Sequence, residues 1–202
     1  MVDTVVFDLG GVLIDWNPKH LYQKIFNQDS EKIEYFLSHV CTLAWNSEQD
    51  AGRPFQEGRT LLKRQYPEYA EAIDAYDFLW EEMLGGVDEE VADILFALKK
   101  EKIPVYALTN WSKEKFPIAR KRYKVLDLFE GIFVSGEVGC RKPSLTFYQL
   151  FLEKYEIEAQ RSVFIDDVQE NVEGAEKAGM HAIRFQNAQQ LTQDLKKLGI
   201  EY

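Results

Sequence analysis

Four short stretches of this chain are apolar at almost every residue: Thr4–Phe7, Val105–Leu108, Gly131–Val134 and Ser162–Ile165. Short apolar runs without polar alternation mark strands covered on both faces, as in a parallel sheet between helical layers. A fifth β-rich run, His181–Phe185, follows them. Helical patterns lie between the strands. Glu89–Lys100 places Val91, Ile94, Leu95 and Leu98 at helical spacing, with Pro104 just past its end, and Pro143–Tyr155 and Val172–Ala178 supply two more. Strand alternating with helix predicts a doubly wound parallel-sheet α/β core, whose ligands sit at the carboxyl ends of the strands.

One interval breaks the alternation. Between the first strand and Glu89 the sequence shows no strand signal and reads as helix over Leu21–Phe26, Ile33–Val40, Phe55–Gln65 and Tyr69–Leu84. Pro18, Pro54 and Pro67 stand near helix starts, where a missing amide costs nothing. Gly85-Gly86 closes the interval. This predicts a helical cap over residues 16–85, inserted into a catalytic core made of residues 1–15 and 86–202.

Charge and cysteine content narrow the function classes. The formal net charge of −10 argues against a nucleic-acid footprint, which needs clustered Lys and Arg. It also means that an anionic substrate must be held by a local lysine or metal against the global field. Two cysteines, Cys41 and Cys140, suit reduced thiols rather than a disulfide framework. No run is long and apolar enough to span a membrane, and the amino-terminal apolar stretch lacks a basic leader. The expectation is a soluble cytoplasmic protein, monomeric by default, with no nucleic-acid or membrane partner.

Four segments carry chemistry. Val5-Val6-Phe7-Asp8 is an apolar strand ending in a carboxylate, followed by Gly10-Gly11. A carboxylate there is expensive unless its charge has a use, although Asp8 read alone serves equally as a turn residue. Ala107-Leu108-Thr109-Asn110 ends the second strand, where a hydroxyl and the following amide can hold a phosphate oxygen. Arg141-Lys142-Pro143 precedes a helical pattern, so Lys142 is expected at a helix amino terminus, against the preference of the dipole. Val163-Phe164-Ile165-Asp166-Asp167 closes the set with two adjacent acids, which repel unless a cation neutralises them. Three carboxylates at one sheet edge suit Mg²⁺.

In this order and strand context the four segments resemble the haloacid dehalogenase superfamily with a helical cap in the C1 position. Phe7-Asp8-Leu9-Gly10-Gly11-Val12-Leu13-Ile14-Asp15 is most similar to its sugar-1-phosphate phosphatase subgroup, with the phosphatase domain of soluble epoxide hydrolase a further relative. The resemblance implies a phosphatase that acts on a small phosphorylated metabolite. It implies Asp8 as nucleophile, Thr109 and the Asn110 amide as phosphoryl binders, and Lys142 as the group that stabilises the developing charge. It further implies Mg²⁺ held by Asp8, the Gly10 carbonyl, Asp166 and Asp167.

Gly10 departs from the pattern, because most phosphatases of the superfamily keep a general acid at that position. A glycine there favours leaving groups that need little protonation, such as the anomeric oxygen of a sugar 1-phosphate. Asp15 is a possible substitute acid, with a plain linker role the stronger alternative. A 2-haloacid dehalogenase also lacks the second acid but has no use for the Asp166-Asp167 pair. A non-catalytic binding protein is the remaining alternative. In the cap, the polar stretch Trp45–Arg53 is expected to face the site, with Asn46 and Arg53 reading the substrate. Trp111 suits pocket or core equally. Asn171 suits a helix cap better than contact with a metal ligand.

Overall fold

In the computed structural model, which describes residues 2–202, β1 (Thr4–Phe7) is the central strand of a five-stranded sheet. Two further short strands follow, β2 (Ile14–Trp16) and β3 (Leu84–Val87). The remaining sheet strands are β4 (Val105–Thr109), β5 (Gly131–Val134), β6 (Ser162–Asp166) and β7 (His181–Arg184). The order is β5-β4-β1-β6-β7, with every pairing parallel. Val5 lies opposite Val105 on one side and Val163 on the other. All four residues of β1 and all five of β6 are buried, which explains their lack of polar alternation. The doubly wound parallel core is therefore as the apolar runs predict. Its order reverses direction at β1, the place where such sheets bind ligands.

Helix Glu89–Lys100 starts where the Asp88 side chain accepts the Val91 amide at 3.1 Å, and it packs Val91, Leu95 and Leu98 inward at no exposure. The helix expected from Pro143 starts later, at Leu145. The Lys142 amide donates to Asn110 Oδ1 at 2.9 Å and its carbonyl accepts from Asn110 Nδ2 at 3.1 Å. Pinned on both sides to the loop after β4, this segment cannot enter the helix. The charge of Lys142 is thus set by its side-chain partners and not by a helix dipole.

The stretch between β2 and β3 is helical but bounded by a strand pair that the sequence reading omits. β2 and β3 are antiparallel, with Ile14 opposite Val87 and Trp16 opposite Leu84. The pair escapes detection because β2 has three residues, one of them Asp15, and β3 holds two glycines. Gly85 lies against the Asp15 side chain, which a Cβ at that position would displace. The expected helix Tyr69–Leu84 accordingly divides into helix Ala70–Phe78, a 3₁₀ turn Trp80–Met83 and β3. Leu43–Asp50 is a further helix, capped by the Thr42 hydroxyl on the Trp45 amide at 3.0 Å.

One buried apolar cluster runs from Val5, Phe7 and Leu95 of the core into Tyr22, Phe36, Phe55 and Tyr76 of the insertion. A buried ion pair reinforces that junction. Lys115, after β4, bonds the Asp77 carboxylate and donates to its carbonyl at 2.9 Å, while Arg59 Nε lies 2.7 Å from Asp77 Oδ2. Asp77→Asn leaves the buried Lys115 without a carboxylate partner, while Arg59 keeps Asp74, and is expected to cost about 3 kcal/mol. Amide exchange should then accelerate more in helices Phe55–Gln65 and Ala70–Phe78 than in β1 and β6. No helix among the described residues is long and apolar enough to cross a membrane.

Candidate active site

The parallel ladder carries Asp8 one residue past β1, its amide donating to the Ile165 carbonyl at 2.8 Å. Asp8 is 7% exposed. Its Oδ1 accepts the Leu9 amide at 2.7 Å and lies 2.9 Å from Lys142 Nζ, whereas Oδ2 accepts no hydrogen bond among the described residues. One oxygen is therefore held and the other is left for a ligand.

Lys142 is completely buried and bridges two acids, with Asp166 Oδ2 at 2.7 Å on its other side. Asp166 is saturated. Its Oδ1 accepts the Val168 amide at 2.8 Å, and Asn171 Nδ2 donates to both oxygens at 3.0 and 3.1 Å. Asn171 sits inside helix Gln169–Lys177, after its cap residue Val168, so its role is to orient Asp166 and not to cap the helix. Asp167 is the free member of the pair. Oxygens of Asp8, Asp166 and Asp167 come within 4.8 Å of one another.

The electrostatics follow from burial. Desolvation pushes the Asp8 carboxyl up from 3.8 to about 7, against the pull of Lys142 and with a further push from Asp166. Burial opposes the charge on Lys142 too, yet Asp166 and Asp8 beside it hold its pKa above the ordinary value. Asp167 is raised by burial and by Asp166. A lone ammonium thus serves two buried carboxylates with a third adjacent, which leaves the cluster short of positive charge. A hard divalent cation fits the oxygens that Asp8, Asp166 and Asp167 bring together, with Gly10 beside them in the cavity lining.

Above this cluster lies a cavity of about 650 Å³. Asp8, Gly10, Asp167 and Lys142 form its floor. Trp16, Trp80 and Trp111 give it aromatic walls, and Asn46, Ser47 and Asp50 of helix Leu43–Asp50 close its roof. Trp111 belongs to both pocket and core: it lines the cavity, is 5% exposed and packs on Trp80 and Phe116.

Of the residues expected at the site, the structure gathers Asp8, Gly10, Asn110, Lys142, Asp167 and Asn46 around one cavity. Asp166 stands behind Lys142. Thr109 ends β4 beside β1, 1% exposed and outside the cavity lining. Arg53 does not face the site, contrary to expectation. Its Nε donates to Gln49 Oε1 at 2.6 Å and a terminal nitrogen to the Trp45 carbonyl at 3.0 Å, so it braces the preceding helix Leu43–Asp50. Asp15 pairs with His20 at 2.7 Å in the linker and is also absent from the lining. Asp50 has no sequence signal beyond its place in the polar stretch Trp45–Arg53; only folding shows that it, and not Arg53, reaches the cavity.

A parallel sheet with an aspartate, a lysine and paired acids at its carboxyl edge, roofed by a helical insertion, defines an α/β enzyme of the Rossmann-like kind. Residues 2–179 match the haloacid dehalogenase-like hydrolases, and the chain belongs to that family. It is similar to a sesquiterpene phosphatase of Aspergillus oryzae, 29% identical over 96% of this chain and 94% of that protein. A phosphorylated carbohydrates phosphatase of Thermotoga maritima is 26% identical over 90% of this chain and 84% of that protein. A family enzyme of Bacteroides thetaiotaomicron, crystallised with magnesium and inorganic phosphate, shares the fold. Its TM-score is 0.70 at 22% identity, covering 92% of this chain and 95% of that one.

Proposed function

We propose that this protein is a magnesium-dependent phosphomonoesterase that works through a phosphorylated Asp8. The observation that carries the reading is the buried ion-paired set of Asp8, Lys142 and Asp166, with Asp167 beside it, opening onto one cavity. Asp8 attacks phosphorus with an oxygen that Lys142 does not hold. Lys142 neutralises the attacking carboxylate and the charge that grows on the phosphoryl oxygens. The Asn110 side chain fixes the backbone of Lys142. Asp166 and Asn171 keep the lysine aimed. When bound, Mg²⁺ would neutralise phosphoryl charge, held by Asp8, Asp166, Asp167 and the Gly10 carbonyl. Residues 16–85 act as the cap that shields the site from water.

The substrate on this reading is a small phosphorylated metabolite, with sugar 1-phosphates first. Their anomeric oxygen leaves readily, and Asn17, Asn46 and Ser47 can bond hydroxyls while the tryptophan faces pack the ring. The same three tryptophans favour a second reading, an apolar alcohol phosphate, in keeping with the name of the Aspergillus relative. Phosphate release from glucose 1-phosphate, glucose 6-phosphate and farnesyl phosphate separates the two. The first reading expects kcat/KM at least about tenfold higher for glucose 1-phosphate than for the other two. Equal rates on both glucose phosphates would sink it, and a farnesyl preference would establish the second.

A further inference from the structure

Gly10 leaves the floor of the cavity without an acid. An ideal Cβ on Gly10 meets nothing within 4 Å, so no other side chain has moved into that place. Four carboxylates line the cavity: Asp8, Asp50, Asp167 and Glu170. On the proposed reading Asp8 is the nucleophile and Asp167 holds the metal, while Glu170 is exposed on the rim. Asp50 is the remaining one, and it comes from the roof. A substrate whose phosphorus sits over Asp8 must point its leaving oxygen away from Asp8 for in-line displacement, which is toward that roof.

We infer that Asp50 is the general acid–base of the reaction and replaces, from the cap side, the acid missing at Gly10. This rests on the phosphatase reading. In the first half-reaction the Asp8 oxygen bonds to phosphorus, the ester P–O bond breaks, and the Asp50 carboxyl gives its proton to the departing oxygen, releasing the alcohol. In the second, water attacks the phosphorus of phospho-Asp8 and gives its proton to the Asp50 carboxylate. Phosphate departs and both aspartates return to their starting states.

The surroundings of Asp50 suit both roles. Asn46 Nδ2 donates to Asp50 Oδ2 at 2.9 Å, and the Ser112 amide bonds the same carboxylate. Its own carbonyl is fixed by the Ser135 hydroxyl at 2.6 Å. The position is therefore anchored to the core on two sides. Burial pushes the carboxyl up from 3.8 to about 7, with Arg141 the main opposing charge and Lys142 a lesser one. Tyr76, also within electrostatic reach, has its own pKa raised far above 10 and stays neutral. A carboxyl poised near 7 can give and regain a proton at neutral pH.

The test measures kcat/KM on substituted phenyl phosphates of graded leaving-group acidity and on benzyl phosphate, a poor leaving group of similar shape. Wild type, Asp50→Asn, Asp50→Glu and Asp8→Asn are compared. The inference expects Asp50→Asn to lower the benzyl-to-nitrophenyl rate ratio by about 100-fold or more, because only the poor leaving group needs the proton. Asp50→Glu should recover part of that ratio. In wild type, with no substitution to disturb folding, the same ratio should fall as pH rises through about 7, the region where Asp50 loses its proton. A ratio unchanged by both Asp50→Asn and pH, or an equal loss on all esters, overturns the inference while leaving Asp8 as nucleophile. Release that survives Asp8→Asn overturns the phospho-Asp8 reading and this inference with it.

Discussion

Asp8→Asn should reduce phosphate release by about 10⁴-fold or more and at the same time stabilise the metal-free protein. The first effect follows from removal of the nucleophile, for which the remaining binding groups cannot substitute. The second follows from the burial of the carboxyl. Its pKa is about 7 in the folded chain against 3.8 as the ordinary value, so the folded state binds that proton more tightly. The stability this gives is fully present below about pH 4 and is lost as pH rises through 7. Asparagine carries no charge and keeps an oxygen for the Leu9 amide and Lys142. The stability difference in favour of the variant should therefore open between pH 4 and 7 and hold above it. At about 1.4 kcal/mol per pKa unit the gap is on the order of a few kcal/mol, less what the lost attraction to Lys142 takes back. Urea denaturation in the presence of a chelator at pH 5 and pH 8 measures it. A variant no more stable than wild type at pH 8 would show that Lys142 fully compensates the buried charge.

Lys142→Met should fail in both respects. It removes the group that stabilises the transferring phosphoryl charge, worth about 10²–10³ in rate. It also strands Asp8 and the fully buried Asp166 without a counter-ion, at a cost of about 3–5 kcal/mol. The two losses differ in pH dependence. With the ammonium gone, nothing opposes the burial that already favours the neutral form of Asp8, so the stability deficit should shrink as pH falls toward 5. Arginine is a poor replacement, because a planar fork cannot take the place of a compact ammonium between two oxygens at 2.9 and 2.7 Å. Chemical denaturation of Lys142→Met and Lys142→Arg across pH 5–8 tests this, and a deficit independent of pH would count against the pairing.

The core is legible because its central strands β1 and β6 are buried on both faces, and all five sheet strands fall within a residue of their expected ends. Asp8 and the Asp166-Asp167 pair stand at the ends of apolar strands, where charge has few structural uses, whereas Lys142 follows no such run and the helix start expected beside it lies at Leu145. What stayed hidden depends on contacts between distant segments. Which of Asp166 and Asp167 is free turns on Asn171 and Val168, and the direction of Lys142 turns on Asn110. In the polar stretch Trp45–Arg53, composition cannot say which face of helix Leu43–Asp50 turns to the cavity. Asn46 lines the cavity as expected, whereas the reach of Arg53 is used up by Gln49 and Trp45.

The antiparallel pairing of Trp16 with Leu84 bears on how such an enzyme can change its diet. The chain leaves the core and re-enters it through adjacent, hydrogen-bonded strands, so the two ends of the excursion are already held at the spacing of a hairpin. Anything that starts and finishes at that spacing could be spliced between them without disturbing the sheet. The floor of the site is thus written in the core strands, while its roof, Asp50 included, is written in the excursion between β2 and β3.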